Sequence, residues 1–169
     1  YDETNKLTGL DIEIFNLIAK NIEINHQYME LPWQRNLMYI KAGKLDAVLG
    51  SSFTEERELS ALFSIPYRSE TINLYVKKGT AQLYKLKELS DLIETNYLIG
   101  IENGYYYGEE YQKLSEIPEF MSRINGVLDV EQNVKMLLKG YISGFLADPI
   151  TVQVIERKLK IQNELEIYP

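Results

Sequence analysis

The chain has 169 residues, 45% hydrophobic and 25% charged, which suits a folded chain with a core of its own, as one domain or as two lobes of roughly 80 to 90 residues. A net charge of −7 with no basic cluster beyond Lys77-Lys78 and Arg157-Lys158 argues against a nucleic-acid partner, and the absence of cysteine excludes a thiol nucleophile, a zinc-thiolate site and disulfides. No apolar run approaches the ~20 residues that span a bilayer. The opening Tyr1-Asp2-Glu3-Thr4-Asn5 carries neither an initiating Met nor a basic-then-apolar leader, and reads as a processed or trimmed start.

Between residues 9 and 24, Leu10, Ile14, Leu17, Ile18 and Ile22 recur at three- and four-residue spacing and predict an amphipathic helix after the Thr8-Gly9 turn. Residues 27–31 are then a short strand candidate. Pro32 suits the first turn of a second helix with Trp33, Leu37 and Ile40 as its buried stripe and Gly43 at its end. The run Leu45-Asp46-Ala47-Val48-Leu49 reads as a strand covered on both faces. Thr54 can cap a short helix over residues 55–59, and Ser64-Ile65-Pro66-Tyr67 forces an extended turn into a β-rich run over 71–76. Lys77-Lys78-Gly79-Thr80 looks like a segment crossing between lobes.

The second half repeats the alternation. Strands are expected at 97–101, 122–127 and 144–146, and helices at about 105–114, 130–139 and 150–159. Such alternation predicts an α/β fold with mainly parallel sheets flanked by helices. An internal echo supports two similarly built lobes: a helix ending at Gly43 leads into Leu45-Asp46-Ala47-Val48-Leu49, and one ending at Gly140 leads into Ile142-Ser143-Gly144-Phe145-Leu146. Asp46 reads as a structural turn residue.

The order of short motifs carries a resemblance. Gly9-Leu10-Asp11-Ile12-Glu13-Ile14, Gly43-Lys44-Leu45-Asp46-Ala47, Thr54-Glu55-Glu56-Arg57, Phe63-Ser64-Ile65-Pro66-Tyr67 and Val76-Lys77-Lys78-Gly79 follow one another as in the family 3 solute-binding proteins of bacterial ABC transporters. Ile99-Gly100-Ile101-Glu102-Asn103-Gly104 and the stretch from Gly140 to Asp148 continue the similarity across nearly the whole chain. The family's usual opening strand and its C-terminal return to the first lobe have no counterpart here. The resemblance implies a two-lobed, type II periplasmic-binding-protein clamp, with residues 1–78 as the first lobe and 79–169 as the second.

It also implies roles for particular residues. Arg57 lies one helical turn after Thr54, so a capped turn can aim its guanidinium, and the family's matching Arg binds a ligand α-carboxylate. The competing reading is a solvated Arg pairing with Glu55, Glu56 or Glu58. Ser52 matches a hydroxyl or backbone contact and Thr54 a cap that also donates its N–H, where Ser51-Ser52 would otherwise be a polar loop. Asp148 matches the acid that accepts from an α-ammonium group, and it is equally placed to cap the next helix. Together Arg57 and Asp148, one from each lobe, would read a zwitterion.

Gly104 begins the turn that in amino-acid binders precedes small hydroxyl residues. Here Tyr105, Tyr106 and Tyr107 follow, and the backbone N–H groups of Tyr105 and Tyr106 are expected at a helix N-terminus facing a carboxylate, with the rings narrowing the pocket or stacking on the ligand. Trp33 is a candidate aromatic wall, set against the plainer role of a core residue. The lone His26 stands beside no partner for a metal site or a Ser-His-Asp hydrolase.

The expected protein is therefore a non-enzymatic, monomeric, periplasmic binder of an amino-acid-like solute, without cofactor, metal or nucleic acid. It would serve the membrane permease of an ABC transporter. The alternatives are a ligand-sensing domain fused to a signalling protein, and a cyclohexadienyl-dehydratase-like enzyme, for which Glu102 is the one further carboxylate to nominate.

Overall fold

A computed structural model describes residues 7–169, and the chain divides into two compact units, Tyr1–Ser64 and Ile65–Pro169. The reading of the first five residues as a processed start lies outside the described residues.

In the first unit, α1 (Leu10–Asn21) follows Gly9, with Asp11 and Glu13 in its first turn and Lys20 in its last, the arrangement that complements a helix dipole. α2 (Trp33–Lys41) starts directly after Pro32 and ends before Gly43, whose φ of 63° is a glycine conformation. α3 (Glu55–Glu58) is capped by Thr54, whose hydroxyl accepts from Arg57 N at 3.2 Å.

Two expected strands are corrected here. Residues 27–31 and 45–49 enter no ladder among the described residues of this unit. An extended apolar run becomes a strand only where a neighbouring backbone takes its N–H and C=O groups. Instead, the chain at 26–28 docks on α1 through side chains. His26 Nε2 and Tyr28 Oη both reach Asn16 Oδ1 at 2.9 Å, and the His26 and Tyr28 rings meet Phe15 edge-on.

The second unit is a five-stranded sheet with helices on both faces. Its strands are β1 (Asn73–Lys77), β2 (Ile99–Glu102), β3 (Ile124–Val127), β4 (Gly144–Ala147) and β5 (Leu165–Ile167), in the order β3-β2-β4-β1-β5. β2 runs parallel to β3 and β4, while β1 is antiparallel to β4 and β5. The strand that the sequence placed at the end of the first lobe is thus paired inside the sheet of the second unit. Between the strands run α4 (Glu109–Leu114), α5 (Pro118–Met121), α6 (Val130–Leu138) and α7 (Pro149–Leu159).

The pleat divides the core. On one face Phe145 and Ala147 pack with Tyr75 against Val130, Val134 and Leu137 of α6 and Val152 and Ile155 of α7, with Phe145 and Tyr75 stacked at 5.4 Å. On the other, Ile99, Ile101 and Leu146 pack against Leu92, Tyr111 and Phe120.

Gly100 sits where a side chain would collide with α6. A Cβ there would lie 2.2 Å from Asn133 Oδ1 and 2.9 Å from Ile142 Cδ1. Asn133 is fully buried, and its amide has no hydrogen-bond partner, which costs stability. Gly100→Ala is therefore expected to destabilise by about 1–3 kcal/mol through overpacking. Adding Asn133→Ala should recover most of that loss, as read by chemical denaturation of the two variants.

Candidate functional site

In the first unit the chain turns at Gly50 (φ 69°) and passes through Ser51 and Ser52 to the Thr54 cap. The capped turn carries Arg57 back over this loop. Arg57 Nη1 donates to Ser52 O at 2.8 Å and approaches Ser51 Oγ at 3.5 Å, and its guanidinium carbon lies 5.8 Å from the centroid of the Trp33 ring. The structure thus brings together Trp33, Ser52, Thr54 and Arg57, from segments 24 positions apart. A guanidinium held over an aromatic face by backbone contacts is a planar fork of donors with reduced freedom, the geometry that meets a carboxylate bidentately.

In the second unit β2 and β4 are parallel neighbours, so the chains leaving them emerge at the same edge of the sheet, where α/β proteins present ligand-contacting loops. Asp148 follows β4 and caps α7. Its Oδ1 accepts from Ile150 N at 3.0 Å and Thr151 N at 2.9 Å, and Oδ2 takes no part in the cap. Asp129 caps α6 in the same way through Gln132 N at 2.9 Å.

Gly104, with φ at 79°, makes the turn after β2. Here the expected helix start is corrected. α4 begins at Glu109 behind Gly108, so Tyr105 and Tyr106 precede the helix and their N–H groups are not its N-terminus. Tyr105 N instead donates to Glu102 O at 3.2 Å, and the Tyr107 hydroxyl accepts from Glu102 N at 2.7 Å, which closes residues 102–107 into a tight loop. The rings of Tyr105 and Tyr107 lie 5.3 Å apart, and Tyr107 continues to Tyr111 at 5.2 Å. Packing of the rings, with Gly108 at φ 97°, keeps the segment out of helical conformation.

Electrostatics join these groups. Burial, then the charges of Asp129 and Asp148, push the Glu102 carboxyl up to about 7. Burial is also the main cause that raises the Tyr105 and Tyr107 hydroxyls, with Asp148 contributing to both. Glu102, the further carboxylate nominated from sequence for the enzyme alternative, is half-buried and feels both caps. Sequence reasoning missed Glu70, whose carboxylate accepts the Tyr105 hydroxyl at 2.5 Å from 35 positions away, a contact with no local signature. Among the described residues no group of His, Asp or Glu is arranged to hold a metal ion, and no helix is long and apolar enough to cross a membrane.

Residues 1–144 match the model of the bacterial extracellular solute-binding proteins, family 3. The chain belongs to that family. Among its relatives are an arginine-binding periplasmic protein of Mannheimia haemolytica, 28% identical over 134 residues that cover 77% of this chain and 52% of the relative, and the L-cystine-binding protein TcyJ of Escherichia coli K12, 28% identical over 102 residues that cover 56% and 38%. An ancestral arginine-binding protein bound to arginine superposes with a TM-score of 0.80 at 23% identity, covering 98% of this chain and 70% of that one. The arginine-, lysine-, histidine-binding protein ArtJ of Geobacillus stearothermophilus follows at 0.75 and 20%, covering 100% and 69%. At these identities the structural likeness establishes the fold, that of the type II periplasmic binding proteins. The chain spans about half the length of the arginine-binding relative it matches.

Glu102 and Asp148 each give a measurable expectation. The Glu102 carboxyl ionises near its ordinary value of 4.5 when unfolded and near 7 when folded, so between these pH values the folded protein holds the extra proton and stability falls as pH rises. Glu102→Gln should flatten that part of the stability profile in urea melts between pH 4.5 and 8. Asp148→Ala should cost about 1 kcal/mol through loss of the cap, and Asp148→Asn, which can still accept from the helix N–H groups, only a few tenths.

Proposed function

We propose that this chain is the ligand-recognising part of a periplasmic solute-binding protein that captures an amino-acid-like solute for the membrane permease of an ABC transporter, without altering it. The solute's carboxylate is taken by Arg57, with Ser52 and the Thr54 N–H beside it, and its ammonium by Asp148. The observation that carries this reading is the Thr54-capped turn that lays the Arg57 guanidinium over Trp33 and against Ser52 O. Family membership and relatives named for binding arginine, cystine and histidine support it.

The second unit adds support for a solute bearing positive charge. Asp148, Asp129 and the raised Glu102 leave the edge of the sheet rich in carboxylates, and an ammonium placed there relieves repulsion that burial makes costly. Tyr105 and Tyr106 line the turn beside it as aromatic walls.

In a thermal-shift screen of amino acids, polyamines and small organic acids, a zwitterion such as L-arginine is expected to raise the melting temperature by mass action. Arg57→Ala should abolish the shift, and an equal shift in that variant would overturn the carboxylate assignment. The solute should be recovered at unchanged mass after prolonged incubation. A dehydrated or hydrolysed product would instead make Glu102, whose value of about 7 suits proton transfer, a catalytic residue.

A further inference from the structure

Arg68 and Glu70 precede β1 and take no part in its ladder, yet they meet the loop after β2. Glu70 Oε1 pairs with Arg68 Nη1, and Glu70 Oε2 accepts the Tyr105 hydroxyl at 2.5 Å. A hydroxyl bonded to a charged carboxylate makes one of the stronger hydrogen bonds a protein forms.

The loop has a row of rings behind it. From Tyr105 the contacts run to Tyr107, to Tyr111 and, at 5.7 Å, to Phe120, which is completely buried. The core fixes the inner end of the row. The outer end lies at the turn of Gly104, where rotation about the first side-chain torsion of Tyr105 would carry its ring away from Tyr107, and the bond to Glu70 opposes that rotation.

We propose that Glu70 is a positioning residue of the second unit's ligand turn: it holds the Tyr105 ring against Tyr107, so that the turn presents a solute with a fixed aromatic face whose hydroxyl is already engaged. This rests on the assignment of residues 104–106 to the ligand site. Such a face selects a flat or cationic side chain, through stacking or a cation–π contact, over one that needs a hydroxyl partner.

The test uses the intact protein with Glu70→Ala, Glu70→Gln, Tyr105→Phe and the Glu70→Ala/Tyr105→Phe pair. In ligand-free protein with ¹³C-labelled tyrosine, the ring resonances lost in Tyr105→Phe identify Tyr105. Glu70→Ala should shift and broaden them, and Glu70→Gln, whose amide oxygen still accepts the hydroxyl, should restore them. Unchanged Tyr105 resonances in Glu70→Ala overturn the proposal.

Calorimetric titration with L-arginine as the probe reads the consequence. Glu70→Ala and Tyr105→Phe should each weaken binding about tenfold, with the pair no weaker than either alone. Unaltered affinity, or losses that add, overturn it. A wild-type protein that ignores L-arginine, or binds it equally well with Arg57→Ala, faults the ligand assignment instead, and the ring resonances still decide whether Glu70 positions Tyr105.

Discussion

The second unit depends on β4, four residues that are all buried and that carry two different kinds of pairing. On one side β4 lies parallel to β2, and on the other antiparallel to β1, with Leu146 opposite Leu74 and Phe145 opposite Tyr75. A glycine must open the strand, because a Cβ at Gly144 would lie 2.8 Å from the Tyr75 carbonyl oxygen. This register stacks Phe145 on Tyr75 in one core and sends Leu146 into the other. It also delivers Asp148 to the edge of the sheet where the turn of Gly104 emerges from β2.

That edge concentrates negative charge, and the three carboxylates bear it differently. Asp129 and Asp148 each accept backbone N–H bonds at a helix start, where the local dipole favours an anion. Glu102 ends a strand instead of starting a helix, and both caps act on it through space. Burial, with the charges of Asp129 and Asp148 adding to it, moves the Glu102 carboxyl towards neutrality. Capping uses only Oδ1 of Asp148, which leaves Oδ2 for the ammonium of the proposed solute.

Much of this was legible in the chain because capping and turn chemistry are local. Thr54 before an acidic run, Pro149 after Asp148, and glycines at 43 and 140 each place an element end within a residue or two of its observed position. The first-unit cluster followed from the same signals, since Arg57 is carried by the turn that Thr54 caps. The failures have equally physical causes. Residues 45–49, Asp46 apart, are apolar whether or not a backbone lies alongside, so composition cannot report that they enter no ladder among the described residues. Tyr107 and Tyr111 stand four apart and their rings do meet, at a tilt, which mimics a continuous helix, but Gly108 between them adopts φ 97°. β5 has only three residues, too few for a periodic signal, and the bond from Tyr105 to Glu70 spans 35 positions.

The tyrosines after Gly104 set this chain apart from the small hydroxyl residues that its family commonly places there. A hydroxyl side chain in such a turn recognises a solute by donating or accepting one bond, at little steric cost. Tyrosine gives up pocket volume, but its ring has only two torsions to fix, and here neighbouring groups help to fix them before any solute arrives. The Tyr107 hydroxyl is occupied by Glu102 N and the Tyr105 hydroxyl by Glu70, so the polar atoms that would make tyrosine a versatile partner are engaged within the protein. On the proposed assignment, what such a turn offers a solute is surface of fixed shape, beside carboxylates that favour positive charge. Binding at such a turn would leave less ordering to pay for, and would pass selectivity from hydrogen-bond matching to shape and charge.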